Sequence, residues 1–267
     1  MKNIQEFVVG SFRLTLKGNR AYHLWMTFLT ALILSGVFAY WRQYTQGLIA
    51  TNMRDQVSWG FYIGNFTFLV GVAAAAVLLV IPAYIYNWKP IREIAIFGEL
   101  LAISAIVMCL LFVTVDLGQP TRVLELIPFL GSLNVPSSLL GWDVLVLNAY
   151  LILNVTIVGH FLFKAYFKKP YNKGFVVPLL LLSIPAAISI HTVTAFVYNG
   201  MAARPFWNAS ILAPRFIASA LCSGPAVMLI LFQILRRTTH IRIRLEAIQK
   251  IAELMAYAMF LNLFLFG

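Results

Sequence analysis

Residues 94–122 read IAIFGELLAISAIVMCLLFVTVD followed by LGQPTR. The first part is an apolar run whose one internal charge is Glu99, and Asp116 closes it. A helix needs roughly 20 apolar residues to cross the hydrocarbon core of a bilayer, and this run supplies them. Gly118 and Pro120 are expected to stop the helix, the glycine by permitting a left-handed cap and the proline by refusing to continue. Working outward, further apolar runs near 22–41, 60–86, 142–165, 174–198, 214–235 and 249–267 bring the total to seven. Hydrophobic residues make up 61% of the chain and Asp, Glu, Lys and Arg 11%, against about 25% charged in soluble domains. The fold class is therefore all-α, a polytopic membrane helical bundle; a membrane β-barrel calls for strand-like alternation instead.

Charge sets the orientation. The net charge is +11, but fifteen of the twenty Lys and Arg fall before the first run, between the second and third, between the fourth and fifth, and between the sixth and seventh. By the positive-inside rule those segments, and the N-terminus, are cytoplasmic. Asp55, Asp116, Glu125 and Asp143 then lie at the external face. Basic residues placed this way orient helices and attract anionic lipid, which leaves no role for nucleic acid. Residues 1–21 are polar and basic and read as a cytoplasmic interfacial segment, with the first apolar run a retained span. Cys109 and Cys222 sit within runs, without a CxxC, and read as buried small hydrophobes. The chain stops on an apolar run, so a longer subunit is expected.

Ionisable residues at the edge of a bilayer are costly to keep and are candidates for function. Asp116 and Asp143 are two of them, joined by one long loop whose apolar stretch Leu124–Leu133 is expected to lie in the interface or cover a pocket. Asp143, Tyr150 and Asn154 recur at helical spacing as one polar file. His191, Thr194 and Tyr198 form a second file, in which the histidine serves either proton relay or structural hydrogen bonding. On the second run, Gly60, Gly64, Thr67 and Gly71 make a small-residue stripe suited to close helix contact, and Ser58, Tyr62 and Asn65 make a polar one. His23, His160 and His240 fall near the cytoplasmic face and read as interfacial or solvated.

Four segments taken together carry a resemblance: Asp55-Gln56-Val57-Ser58-Trp59-Gly60, Asp116-Leu117-Gly118-Gln119-Pro120-Thr121-Arg122, Leu140-Gly141-Trp142-Asp143 and His191-Thr192-Val193-Thr194-Ala195-Phe196. With Arg204-Pro205-Phe206-Trp207, they resemble the NrfD/polysulfide-reductase family of integral membrane subunits. Within it, the sequence is most similar to the P subunit of the DsrMKJOP sulfate-respiration complex and the Hmc membrane subunit. The resemblance implies a subunit with no haem or iron–sulfur cluster of its own, exchanging electrons between menaquinone and an external ferredoxin-like iron–sulfur subunit. Further membrane and cytochrome subunits of an anaerobic respiratory complex in the cytoplasmic membrane are implied as well, and proton translocation is a further expectation. Asp116 and Asp143 take the positions that flank the quinone pocket in related subunits, the former often being His there. His191 falls in the second bundle, where relatives are proposed to carry a proton path.

The residues make chemical sense of this. Quinol oxidation releases two electrons and two protons, so the head group needs hydrogen-bond partners near the surface and a group able to accept protons. The candidate quinone site comprises Trp59, Tyr62, Asp116, Arg122, Trp142 and Asp143, with Asp116 and Asp143 as the catalytic pair. His191, Thr194 and Tyr198 form the candidate proton path, and no metal site is expected. By domain, residues 22–165 are expected to form a first four-helix bundle holding the quinone site, and 166–267 the start of a second. Three other readings stay open: a secondary transporter or ion pathway, a di-haem cytochrome b using His23 and His160, and a structural anchor without quinone chemistry.

Overall fold

A computed structural model describes residues 2–54, 56–57, 59–73, 75–126, 131 and 134–266. Asp55, Ser58 and most of the apolar stretch between Leu124 and Leu133 lie outside the described residues. Among the described residues the chain is helical, and the elements follow the hydrophobic runs: α1 (Lys2–Thr15), α2 (Arg20–Gln46), α3 (Phe61–Ala73), α4 (Ala75–Val80), α5 (Lys89–Arg92), α6 (Ala95–Asp116), α7 (Leu139–Tyr166), α8 (Lys173–Asn199), α9 (Leu212–Thr238) and α10 (Leu245–Phe266). A π-helical turn, Ile81–Ile85, follows α4. Seven helical stretches are long and apolar enough to span a membrane: α2, Phe61–Ile85, α6, α7, α8, α9 and α10.

Helix ends are set by local chemistry. The Asn19 side chain accepts a hydrogen bond from the Tyr22 N–H at 2.8 Å and so caps α2. Gly47 closes that helix at φ +80, a conformation a side chain would resist. The end of α6 departs from expectation. Gly118 does not adopt a left-handed cap; the chain leaves the helix at Leu117, which turns extended. Pro120 then opens a 3-10 turn, Pro120–Leu126, where its missing N–H costs nothing. Inside α8, Pro178 and Pro185 are accommodated without interrupting the helix.

The chain forms two compact units, residues 1–60 with 162–170, and residues 61–161 with 171–267. In the first, the Phe7 ring of α1 packs edge-on against Phe163 and Tyr166, at centroid distances of 5.5 and 5.6 Å. A Cβ on Gly10 would lie 2.0 Å from the Tyr166 hydroxyl oxygen, so glycine permits that approach. Along α2, Leu24, Trp25, Phe28, Leu32, Phe38 and Trp41 all face outward. Such exposure is unfavourable in water and costs nothing in lipid.

In the second unit the external and central core joins α3, α6, α7 and α8 through Phe66, Val70, Ile106, Val113, Leu147, Tyr150 and Ile190. A second cluster, with Leu79, Ile91, Ile94, Met228, Phe232 and Ile251, ties α4 to α6, α9 and α10. This packing joins α8, α9 and α10 to the earlier spans of the same unit. Two glycines set the helix distances. A Cβ on Gly71 would stand 2.7 Å from Ser223 Oγ, and one on Gly98 would stand 3.3 Å from the Ala76 Cα. Thus α3 meets α9, and α4 meets α6, nearly backbone to backbone. Gly64 has open space instead, although it belongs to the same sequence stripe.

Candidate functional site

The polar residues of α7 and α8 turn inward, as their spacing requires. Asp143, Tyr150 and Asn154 on α7 are all buried, as are His191 and Thr194 on α8. Because α7 and α8 run in opposite directions, Asp143 in the first turn of one and Thr194 near the end of the other come to the same depth. The Thr194 hydroxyl donates to Asp143 Oδ1 at 2.6 Å, with the carboxylate only 2% exposed. A carboxylate this deep in a membrane protein needs such a donor, since water is not there to solvate it.

One turn further along α8 stands Tyr198, whose hydroxyl is hydrogen-bonded to Thr67 of α3. Asp116, the last residue of α6, is half-buried, and its Oδ1 is enclosed without a hydrogen-bond partner. Asn199 Oδ1 is in the same condition. Residues that the sequence keeps apart, Asp143 of α7, Thr194 and Tyr198 of α8 and Thr67 of α3, are therefore linked into one polar group on three helices. It sits at the end of the unit that the charge distribution assigns to the external face.

His191 occupies the next layer inward. Its Nδ1 is paired with the Ala187 carbonyl at 2.6 Å, in the i to i−4 direction along α8. Its Nε2 is buried, makes no hydrogen bond of normal geometry, and borders a cleft of about 180 Å³ lined by Gly64, Thr67, Gly71, Ser219 and Ser223. The small residues of α3 and α9 thus do two jobs, closing the helices at Gly71 and leaving beside the imidazole a mainly apolar cleft with Thr67, Ser219 and Ser223 in its wall. On the other side of Tyr198 lies a larger cavity of about 500 Å³, walled by Trp207, Arg215, Phe216 and Asn262 among others. The Arg204 guanidinium sits over the Trp207 ring at 6.0 Å.

The remaining residues expected at the site make contacts of their own. Arg122 lies 3.9 Å from Glu125 of its own 3-10 turn, and both side chains are largely exposed. Trp142 donates its indole N–H to the Pro136 carbonyl at 3.0 Å, which anchors the loop before α7. Tyr62 packs against Phe112 of α6 at a centroid distance of 6.3 Å, and Asn65 bonds back to the Phe61 carbonyl at 2.8 Å. Trp59 is half-buried in the first unit. Both cysteines are buried free thiols. His160 accepts from the Asn172 N–H at 3.2 Å, which gives it a structural task, while His23 and His240 are exposed. Among the described residues, no group of three or more His, Cys, Asp or Glu is placed to hold a metal ion.

Several residues in or near the cluster received no role from the sequence. Thr67 was readable only as a small residue in a packing stripe. Trp207 carried a signal, as part of the Arg204–Trp207 motif, whereas Arg215, Phe216 and Asn262 carried none. Glu99, 2% exposed with both carboxylate oxygens lacking partners, was visible as a lone charge in an apolar run.

Comparison with known proteins agrees with the fold. The family described as polysulphide reductase, NrfD, matches residues 49–267. A protein of Halobacterium salinarum, provisionally named as a membrane subunit of dimethyl sulfoxide reductase, is 26% identical over 221 residues, covering 77% of this chain and 50% of that protein. A selenate reductase subunit of Mesobacillus selenatarsenatis is 24% identical over 241 residues, covering 78% of this chain and 56% of its own length. An Hdr-like menaquinol oxidoreductase integral membrane subunit of Archaeoglobus fulgidus is 20% identical over 208 residues, covering 78% and 49%. The chain spans about half the length of these curated relatives. Seven membrane-length helices and a family match from residue 49 onward place this chain in the NrfD family of polytopic membrane subunits.

Proposed function

We propose that this chain is the quinone-reactive membrane subunit of a respiratory oxidoreductase complex. It exchanges electrons between menaquinol and an external ferredoxin-like iron–sulfur subunit, in the cytoplasmic membrane. The observation that carries the reading is the buried Asp143 held by Thr194, one turn from Tyr198, with Asp116 and its enclosed, unpartnered Oδ1 closing α6 at the end the charge distribution assigns to the same face. Relatives named as subunits of reductases, and as an integral membrane subunit of a menaquinol oxidoreductase, support it. The finer likeness to the sulfate-respiration P subunit, with its cytochrome partners, belongs to the same proposal.

Bound quinol supplies two electrons and two protons. The chain's residues then have distinct tasks. Asp143, held by Thr194, accepts a proton at Oδ2 while its Oδ1 stays fixed. Asp116 offers the unpartnered Oδ1 as a second acceptor. Tyr198 orients the site from α8 and passes protons on towards His191 along the file that Thr194 shares. Tyr62, Arg122 and Trp142 are assigned to the rim rather than to proton transfer. The cavity walled by Trp207, Arg215 and Phe216 is wide and aromatic enough to admit a ring.

The test is a titration of the purified native complex with a fluorescent quinol analogue, wild type against an Asp116→Asn, Asp143→Asn double variant. Saturable quenching lost in an assembled variant is the expected result. Equal binding by both overturns the assignment and leaves the chain as an anchor or ion pathway.

A further inference from the structure

At the end of the second unit that the charge distribution assigns to the cytoplasm lies a cavity of about 270 Å³, lined by Tyr84, Arg92, Glu93, Ile96, Phe161 and Tyr171. By the helical rise it is about 30 Å along α6 from Asp116. Its walls come from the π-helical turn, α5, the start of α6, the end of α7 and the segment before α8. The Glu93 carboxylate is engaged by Arg244 through both oxygens, at 3.3 Å each. Arg92 takes part in none of the ion pairs among the described residues. Two guanidinium groups against one carboxylate leave the cavity positive, and the guanidinium left over suits an anion that offers two oxygens. Two tyrosines add hydroxyl donors. Tyr84 stands in the π-helical turn, a rare geometry concentrated at functional sites. Tyr171 packs edge-on against Phe161 at a centroid distance of 4.8 Å. Neither hydroxyl makes a hydrogen bond among the described residues.

The remaining lining, Ile96 and Phe161, is apolar, and it leads onto an apolar track. Leu100, Val107 and Leu111 follow Ile96 on one face of α6, at i+4, i+11 and i+15. They are 38, 41 and 51% exposed, so this face of the helix meets hydrocarbon. Leu100 also borders an apolar groove of about 270 Å³ between α6 and α9, with Phe97, Leu231 and Phe232 in its wall. A positive cup at the membrane surface, continued by an apolar strip along the span, matches an amphiphile. A soluble anion would fill the cup and meet the Ile96 and Phe161 walls as a poor fit. The volume is just below the range of about 300–1,000 Å³ that encloses a drug-sized ligand, which suits a head group rather than a whole lipid. The level is right as well, since Tyr86, 75% exposed beside the π-helical turn, marks the depth at which aromatic side chains meet head groups.

We propose that this cavity binds the phosphodiester head group of an anionic phospholipid of the cytoplasmic leaflet. Arg92 pairs with the phosphate, Tyr84 and Tyr171 donate to its oxygens, and one acyl chain lies along Ile96, Leu100, Val107 and Leu111. Basic pockets between membrane helices on the cytoplasmic side suit such head groups. The bound lipid ties α5 and the start of α6 to the end of α7 and the start of α8. It shares no residue with the outer cluster and does not depend on the quinone reading.

The test uses the native complex in membranes and a phosphatidylglycerol probe carrying a diazirine near the top of one acyl chain. After illumination, wild type is expected to carry the probe on residues 96–111, read by peptide mass spectrometry. A phosphatidylcholine probe with the same chains should label that stretch roughly fivefold less, because one surplus cation favours a lipid with net negative charge. Arg92→Gln should lower phosphatidylglycerol labelling about tenfold, through loss of a charged hydrogen-bonded pair. Arg92→Lys should recover part of it, and Tyr171→Phe, which keeps the ring against Phe161, should lower it by a smaller factor. Arg237→Gln, an exposed cation in the last turn of α9 outside the cavity, should leave it unchanged. Undiminished labelling in Arg92→Gln overturns the proposal, as does an equal loss in Arg237→Gln, which would mean general surface attraction. Displacement of the probe by inorganic phosphate overturns it in favour of a soluble anion. Absence of labelling on this stretch in wild type overturns it in favour of a protein partner covering the face.

Discussion

Replacing Thr194 by valine tests the site at its best-defined contact. Valine keeps the β-branched shape but removes the hydroxyl that donates to Asp143 Oδ1 at 2.6 Å. The carboxylate would remain 2% exposed without that donor. A hydrogen bond to a charged group contributes about 1.5–3 kcal/mol, and losing it from a buried partner costs the most. That range corresponds to roughly ten- to a hundredfold in a rate that depends on Asp143 being ionised and held in place. Thr194→Ser restores the hydroxyl and removes one methyl, at about 0.8 kcal/mol of packing. The two variants therefore separate chemistry from packing. Quinol oxidation by the assembled complex should fall steeply in Thr194→Val and largely recover in Thr194→Ser, although the serine variant should itself melt slightly earlier than wild type. Wild-type turnover in an assembled Thr194→Val complex would refute the reasoning, because it would mean that Asp143 needs neither the bond nor the position it sets.

Two further outcomes follow from the same geometry. Tyr198→Phe removes the hydroxyl bonded to Thr67, and should lower quinol turnover while leaving assembly, read by co-purification, near wild type. At the helix contacts, Gly98→Ala places a Cβ 2.9 Å from Leu79 Cδ1 and 3.3 Å from the Ala76 backbone. The overpacking cost of about 1–3 kcal/mol outweighs the gain of about 1 kcal/mol in helix propensity, so the detergent-solubilised protein should melt earlier. Gly64→Ala, with nothing within 4 Å, should melt no earlier than wild type.

The spans were legible because lipid imposes a single demand, that a backbone crossing it be helical and clad in apolar side chains. Runs such as 94–116 and 174–198 meet that demand by themselves, and the structure reproduces them as α6 and α8 within a residue or two at their ends. The cap at Gly118 was not legible. Whether glycine uses its conformational freedom depends on where the next residues are drawn, and here Leu117 had already turned the chain. The glycines of α3 show the same dependence. Gly64 and Gly71 carry the same signal in sequence, yet the first faces a cleft and the second a helix, because the partner α9 comes close at one level and not at the other.

The site was legible as residues but not as an assembly. Periodicity on α7 places Asp143, Tyr150 and Asn154 on one face, and periodicity on α8 does the same for His191, Thr194 and Tyr198. Neither pattern states which file meets which. That pairing follows from α7 and α8 both carrying their polar ends at the external face, where desolvation leaves a buried carboxylate to find a donor on the neighbouring helix. Thr194 is the donor because it stands one turn before Tyr198, level with the first turn of α7. The same logic runs in reverse at Glu99. Its helix, α6, travels in the opposite direction to α7, so its one internal charge arrives near the cytoplasmic face, beyond the reach of Thr194 and Tyr198. Its oxygens are unpartnered, so nothing in the outer cluster balances its charge.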